Sequence, residues 1–180
     1  SFSAFSQSIK VRSAGNGKAR ITNGKVQSVV NLSKDIAGCL ITYDATERKR
    51  RTFDVTAFDL IDAVKIGNTT YVVFVATAQG NCNVQGQCGA AESYTLFWLK
   101  LNSALKVQSK QVAVVEECLD DINLTEGSAI KLKKGILSIE FEDNLYRESM
   151  DYTVTKLVYK HSEADKGFSI KTEKRDRPKN

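Results

Sequence analysis

The chain is poor in several features on which enzymes and membrane proteins commonly depend. Its 180 residues include one histidine, His161, which leaves little room for histidine-based catalysis or metal binding. No apolar run approaches the ~20 residues that a membrane-spanning helix requires. The single proline, Pro178, is close to the C-terminus, so no proline interrupts the predicted strands. Neither a Gly-x-Ser-x-Gly nor a Cys-x-x-Cys motif occurs, and no catalytic set is evident.

Charge is distributed unevenly along the chain. Ten basic and three acidic residues lie in 1–51, whereas ten acidic and four basic residues lie in 116–151. Residues 152–180 are basic again, and the whole chain has a net charge of +5. This split differs from the uniformly basic face of nucleic-acid proteins, so we expect no nucleic-acid partner.

The four cysteines, Cys39, Cys82, Cys88 and Cys118, form an even set that allows three pairings. We favour Cys82–Cys88, because short loops close easily, which leaves Cys39–Cys118 as the second pair. The alternative is that all four are reduced and that Cys39 and Cys118 are ordinary buried side chains. Disulfides would place the protein in an extracytoplasmic compartment, periplasmic or secreted.

Alternation of apolar and polar residues predicts an all-β fold. We expect an antiparallel sandwich or barrel-like meander of roughly 10–12 strands, with propeller-like blades as a variant and at most one short helix. The run Tyr71–Ala76 is apolar on both faces and predicts a central strand. Two-residue turns are predicted at Asn23-Gly24, Gly67-Asn68, Asn102-Ser103 and Lys134-Gly135.

The predicted organisation is a flexible N-terminus over 1–8, a single β domain over 9–172 and a flexible basic tail over 173–180. The segment Thr56–Val64 fits either a short capped helix or a strand.

A weak internal repeat runs through the predicted domain. The order strand, loop, strand, turn, strand from Tyr71 to Val115 recurs from Gly135 to Lys171. The repeat is compatible with successive blades or sandwich layers, although strand–turn–strand patterns generally resemble each other.

The polar segment between Cys82 and Cys88 is the first candidate binding site. Closed by a disulfide, it would present amide side chains at low entropic cost, with Glu92 and Tyr94 at its base. The amides are those of Asn81, Asn83, Gln85 and Gln87. The alternative is that the disulfide only closes a long hairpin connection.

A dense basic run is the second candidate, and it includes Arg48 and Arg50. At the tip of a hairpin it could bind phosphate, an acidic glycan or an acidic protein. It lacks interleaved aromatic residues, which argues against nucleic acid, and it could equally be a solvated turn.

Carboxylates offer the remaining route to catalysis. Glu140 and Glu142 are two residues apart on a predicted strand, hence on one face, as a glycoside hydrolase would require. Strings of acidic residues more often form a solvated face. The alternating oxygen side chains of 121–126 resemble a calcium loop but lack its glycine and its final glutamate. We therefore predict no metal and no cofactor.

The leading hypothesis is a non-enzymatic, exported binding protein of the inhibitor or immunity type, whose partner is another protein. The alternatives are a carbohydrate- or cell-envelope-binding module, which needs exposed rings for stacking, and a carboxylate-based hydrolase. His161 is predicted to be an exposed loop residue.

Overall fold

The computed structural model describes residues 9–39, 41–44, 49–52, 57–80, 87–88, 91–143 and 151–176. Within these ranges it contains thirteen strands and one short 3-10 helix, which confirms the all-β prediction. The three larger sheets of the described ranges stack as layers and do not close into a barrel.

Each sheet is built from consecutive strands that pair antiparallel. The first sheet contains β1 (Ile9–Ser13), β2 (Lys18–Asn23) and β3 (Val26–Asn31). The central sheet contains β6 (Ala57–Ile66), β7 (Thr69–Gln79), β8 (Glu92–Leu101) and β9 (Val107–Glu116). The third sheet contains β10 (Ile122–Leu124), β11 (Ile136–Asp143), β12 (Asp151–Lys160) and β13 (Ser169–Asp176). A separate hairpin contains β4 (Ile41–Asp44) and β5 (Lys49–Thr52), and the 3-10 helix (His161–Lys166) joins β12 to β13.

The central sheet is buried on both faces and separates two hydrophobic cores. One core lies against the first sheet, and there Phe74 stacks on Phe97 with 5.1 Å between ring centroids. The other core lies against the third sheet, and there Tyr71 stacks on Trp98 at 5.8 Å. Successive residues of β7 alternate between the two cores, as a strand's period of two requires. The prediction of a central strand at Tyr71–Ala76 is confirmed.

The first two of the four predicted two-residue turns are present at their predicted positions or within one residue of them. At Gly67-Asn68 the turn is confirmed, because β6 and β7 pair up to the residues on either side of it. The hairpin predicted at Asn23-Gly24 is also present, but its loop begins one residue later. Asn23 still pairs with Val26, and Gly24 is the residue with positive φ, at 57°.

The two-residue turn predicted at Asn102-Ser103 is wrong, because β9 begins only at Val107. Leu105, expected in that strand, adopts φ 57° and is 2% exposed. The Oδ1 atom of Asn102 accepts hydrogen bonds from the backbone N–H groups of Ala104 and Lys106. The longer turn therefore satisfies its own backbone and still buries a leucine in the first core.

The turn predicted at Lys134-Gly135 is present, with both residues at positive φ. Ile130 and Leu132, which precede this turn, are not part of a strand. Both side chains still pack against the second core, while β10 occupies the place beside β11.

The ambiguous segment Thr56–Val64 belongs to strand β6 from Ala57 onward. Strand β13 continues to Asp176, four residues into the segment that the sequence assigned to a tail. The predicted N-terminal segment 1–8 lies outside the described residues.

The internal repeat has a structural counterpart. Strands β7, β8 and β9 are the second, third and fourth of the central sheet, and β11, β12 and β13 hold the same positions in the third sheet. The repeated pattern therefore marks equivalent strands in two successive layers.

Candidate functional site

A disulfide joins Cys88 to Cys118, with 5.7 Å between the Cα atoms. The predicted pairs Cys82–Cys88 and Cys39–Cys118 are therefore wrong. The prediction weighed only the length of chain to be closed, whereas the fold brings the turn between β9 and β10 beside the connection between β7 and β8. Cys39 is also disulfide-bonded, and its backbone N–H donates to Gln79 O at 2.6 Å.

The Cys88–Cys118 bond closes 30 residues of chain and ties together two connections at one end of the molecule. In the chain-entropy account, closing a loop of this length stabilises the fold by about 3–4 kcal/mol. We call this region the cystine end, and it comprises Gln87, Cys88, Glu92, Tyr94 and residues 116–121. The disulfide therefore constrains the backbone of both connections.

Carboxylates dominate the cystine end. Tyr94 lies opposite Glu116 on the neighbouring strand, and its hydroxyl donates to Glu92 Oε2 at 2.6 Å. That hydrogen bond, together with partial burial and the charges of Glu92 and Glu116, raises the pKa of Tyr94 to about 12. Glu116 Oε2 accepts from the backbone N–H of Leu124 at 2.8 Å, so it also braces β10.

The turn after β9 is an exposed part of the cystine end. Leu119 is 53% exposed, and Asp120 beside it is also exposed. Glu117 is buried, and its Oε1 accepts from the backbone N–H of Leu119 at 3.2 Å. The turn thus offers an apolar side chain flanked by acidic groups on a backbone held by a buried carboxylate.

Two of the predicted binding residues, Gln87 and Glu92, are exposed at this end. Asn81, Asn83, Gln85 and Arg48 lie outside the described residues, as does Cys82. Arg50 lies on β5 opposite Tyr43. Their role in binding stays a prediction.

A second cluster, which the sequence did not reveal, lies between the central and third sheets. Asp62 accepts from the hydroxyl of Tyr159 at 2.7 Å, and its carboxylate lies 2.9 Å from His161 Nδ1. The register of β6 against β7 shifts between Leu60 and Asp62, and the Asp62 side chain is only 10% exposed. Asp62 is nearly a hundred residues away in sequence from Tyr159 and His161, so no local sequence motif could predict these contacts.

Burial is the main reason that the pKa of Tyr159 is raised, and the hydrogen bond and charge of Asp62 raise it further. His161 is 53% exposed, as predicted, but it begins the 3-10 helix and its ring is oriented by Asp62. A carboxylate behind an imidazole is also how catalytic histidines are oriented. Among the residues that the structure describes, no serine, threonine or cysteine hydrogen-bonds to this ring.

Glu140 and Glu142 do share one face of β11, where they lie opposite Lys156 and Val154 of β12. The face is the outer one, because the intervening Phe141 points into the second core.

No group of three or more possible metal ligands occurs within the described ranges. The same part of the chain contains no helix that is long and apolar enough to cross a membrane.

Comparison with known proteins identifies no family to which the chain could be assigned. The chain matches no protein-family model, no curated protein and no solved structure.

Proposed function

We propose that this protein is a non-enzymatic, exported binding protein that contacts another protein through its cystine end. The Cys88–Cys118 disulfide carries this proposal, because it fixes two surface connections side by side. A disulfide in an all-β chain is compatible with export, since such bonds persist in oxidising compartments.

The chemistry of the cystine end indicates what kind of surface would bind there. Glu92 and Asp120 are exposed and acidic, and Leu119, next to Asp120 in the chain, is exposed and apolar. A partner with basic groups around an apolar pocket would complement this arrangement, and charge complementarity would speed the encounter. Because the disulfide orders the backbone in advance, less conformational entropy is lost on binding. An inhibitor or immunity role fits a surface of this kind.

The described residues give less support to the carbohydrate alternative. Among the described residues, every large hydrophobic side chain that is exposed to solvent is aliphatic. Sugars stack on aromatic rings instead. For the hydrolase alternative, Glu140 and Glu142 lie on the outer face of the third sheet, but neither lines the cavity of about 470 Å³ that opens on that face.

The test is affinity capture from the native host's extracytoplasmic fraction with three oxidised baits. The first is the wild-type protein, and the second is Glu92→Gln/Leu119→Ser/Asp120→Asn. The third is Glu173→Gln/Ile66→Ser/Asp165→Asn, which removes the same charges and one exposed aliphatic side chain elsewhere on the surface.

We expect the wild-type and the third bait to recover a common protein that the second bait loses. The affinity of that complex, measured by calorimetry, should fall at least about tenfold in the second variant. Replacing Asn83, Gln85 and Gln87 by alanine is expected to weaken the same complex without unfolding the domain. Equal recovery by all three baits would contradict the use of the cystine end.

A further inference from the structure

A cavity of about 470 Å³ opens on the outer face of the third sheet, away from the cystine end. Strands β12 and β13 and the 3-10 helix between them form its lining. Its volume lies within the range typical of small-molecule sites. We call it the lysine cavity, after the four lysines that line it, Lys156, Lys160, Lys166 and Lys171.

The positive charge of the lysine cavity is only partly balanced. Among the described residues, Glu163 is the one acidic residue in the lining, and it pairs with Lys160 at 3.5 Å and with Lys166 at 3.2 Å. The hydrogen bond from Lys166, with the charges of both lysines, lowers the pKa of Glu163, so this carboxylate stays ionised.

Lys156 and Lys171 face each other directly across β12 and β13. Directly opposed residues on one face have Cβ atoms about 5 Å apart, and like charges there are destabilising. On the other side of Lys156, Glu140 of strand β11 lies directly opposite it. Neither Lys156 nor Lys171 forms an ion pair with a residue that the structure describes. The register therefore places Lys156 between Lys171 and Glu140, and the charge of Lys171 is left without an ion-pair partner among the described residues.

The wall of the cavity is held by hydrogen bonds to the central sheet. Trp98 Nε1 donates to Ala164 O at 2.7 Å, and the backbone N–H of Phe168 donates to Gln111 Oε1. Gly167 (φ 72°) lies so close to the Gln111 amide that a Cβ atom would overlap it. The 3-10 helix and the residues after it are thus fixed in position before a ligand binds.

The rest of the lining offers a different chemistry. Val158 and Phe168 contribute apolar surface, and Ser169 contributes a hydroxyl group. A ligand with a doubly charged oxyanion and a carbon skeleton would use both parts, since tetrahedral oxyanions accept hydrogen bonds from several ammonium groups at once.

We propose that the lysine cavity binds a phosphate monoester through Lys156 and Lys171, with the organic part of the ligand against Val158 and Phe168. The anion would remove the repulsion between the two lysines, which gives the site its preference for a dianion. This proposal does not depend on the function of the cystine end.

The test is an NMR titration of the amide signals of the full chain with phenyl phosphate and inorganic phosphate, with phenyl sulfate as the singly charged comparison and benzyl alcohol as the uncharged control. We expect saturable shifts at Ser169 and Lys171 with phenyl phosphate, weaker ones with the singly charged phenyl sulfate and with inorganic phosphate, and none with benzyl alcohol. A sedimentation assay with phosphatidic acid vesicles distinguishes a lipid headgroup from a soluble ester as the source of the anion.

Lys156→Gln/Lys171→Gln should weaken ester binding at least about tenfold, because two charge-assisted hydrogen bonds are lost. Lys131→Gln/Lys133→Gln removes two lysines from a smaller cavity of about 220 Å³ and should bind normally. Lys166→Gln leaves the opposed pair intact and should show a smaller loss. Absence of saturable shifts with every anion, or equal losses in both double variants, would overturn the proposal.

Discussion

The third sheet has two chemically different ends. Where β10 pairs with the last residues of β11, acidic side chains gather around the Cys88–Cys118 disulfide. Where β12 enters the 3-10 helix, lysines gather around a cavity that hydrogen bonds hold in shape. These two ends lie roughly 23 Å apart along β11. The chain thus builds one end covalently and the other by packing, and the two should respond to different perturbations.

This comparison also explains the charge split along the sequence. The acidic segment 116–151 supplies the cystine end and the outer carboxylates of β11, while the basic segment 152–180 supplies the lysine cavity. Antiparallel pairing lays the two segments side by side but does not neutralise them residue by residue. Glu140 does lie opposite Lys156, but Glu142 lies opposite Val154, and Lys156 lies opposite Lys171 on its other side.

Breaking the covalent end should have the largest effect. Cys88→Ser/Cys118→Ser is expected to lower the free energy of unfolding by about 3–4 kcal/mol, because the unfolded chain regains the freedom of the closed loop. Urea unfolding measures the loss, and hydrogen exchange should show faster opening at the cystine end than in β12. Unchanged stability would mean that packing alone holds the two connections together.

Breaking the packed end should cost somewhat less. Gly167→Ala is expected to lower the free energy of unfolding by about 2–3 kcal/mol, because φ 72° with ψ −145° suits only glycine and the new Cβ meets Gln111. Gly24→Ala is the matched control, since Gly24 also has positive φ but open space around it. A cost in Gly167→Ala no larger than in the control would argue against a tightly held cavity wall.

Each end has a tyrosine whose hydroxyl donates to a carboxylate, and alkaline pH should separate the two. A raised pKa means that the folded protein keeps a proton that the unfolded chain releases above about pH 10. This stabilisation is complete below that pH and is lost as the pH rises toward the folded-state pKa.

The free energy of unfolding should fall as the pH rises from 9.5 to 11, and Tyr159→Phe should make this fall smaller by about 1 kcal/mol. Tyr94→Phe should reduce the same fall in the free energy of unfolding by a smaller amount, because Tyr94 is only half-buried and solvent screens its interaction with Glu92. Urea unfolding across this pH range gives both slopes. The reverse order would mean that the carboxylate charge, and not burial, controls these groups.

The smallest expected effect is a gain. Lys171→Gln should raise the free energy of unfolding by about 0.2–1 kcal/mol at low salt, because it removes the repulsion with Lys156. The gain should vanish in high salt. Lys174→Gln, on the same strand but opposite Thr153, should change stability by less. A loss in Lys171→Gln would show that the opposed lysines are already compensated within the protein.

The strands could be predicted from alternation, because period-two burial is a local property of the chain. The apolar run in β7 even predicted burial on both faces. Leu105 escaped prediction because tertiary packing outweighs the local cost of its positive φ.

The sites were less predictable, since each is assembled from distant segments. Cys88 and Cys118 meet only because four strands fold between and beside them, and Asp62 meets Tyr159 across two sheets. The opposed Lys156 and Lys171 depend on the exact pairing of β12 with β13. Residue types and spacing alone contain none of this information.

The double burial of the central sheet has a consequence for how the chain avoids misfolding. In a sheet with one wet face, slipping a strand by one residue exposes its apolar side chains, and this penalty selects the correct alignment. Strands β7 and β8 are apolar on both faces, so such a slip would merely exchange the residues of the two cores. The correct register must instead be selected by the shapes of the packed side chains and by directional hydrogen bonds. One of these joins the Trp98 indole N–H to Ala164 O, and it can form only when Trp98 faces the second core.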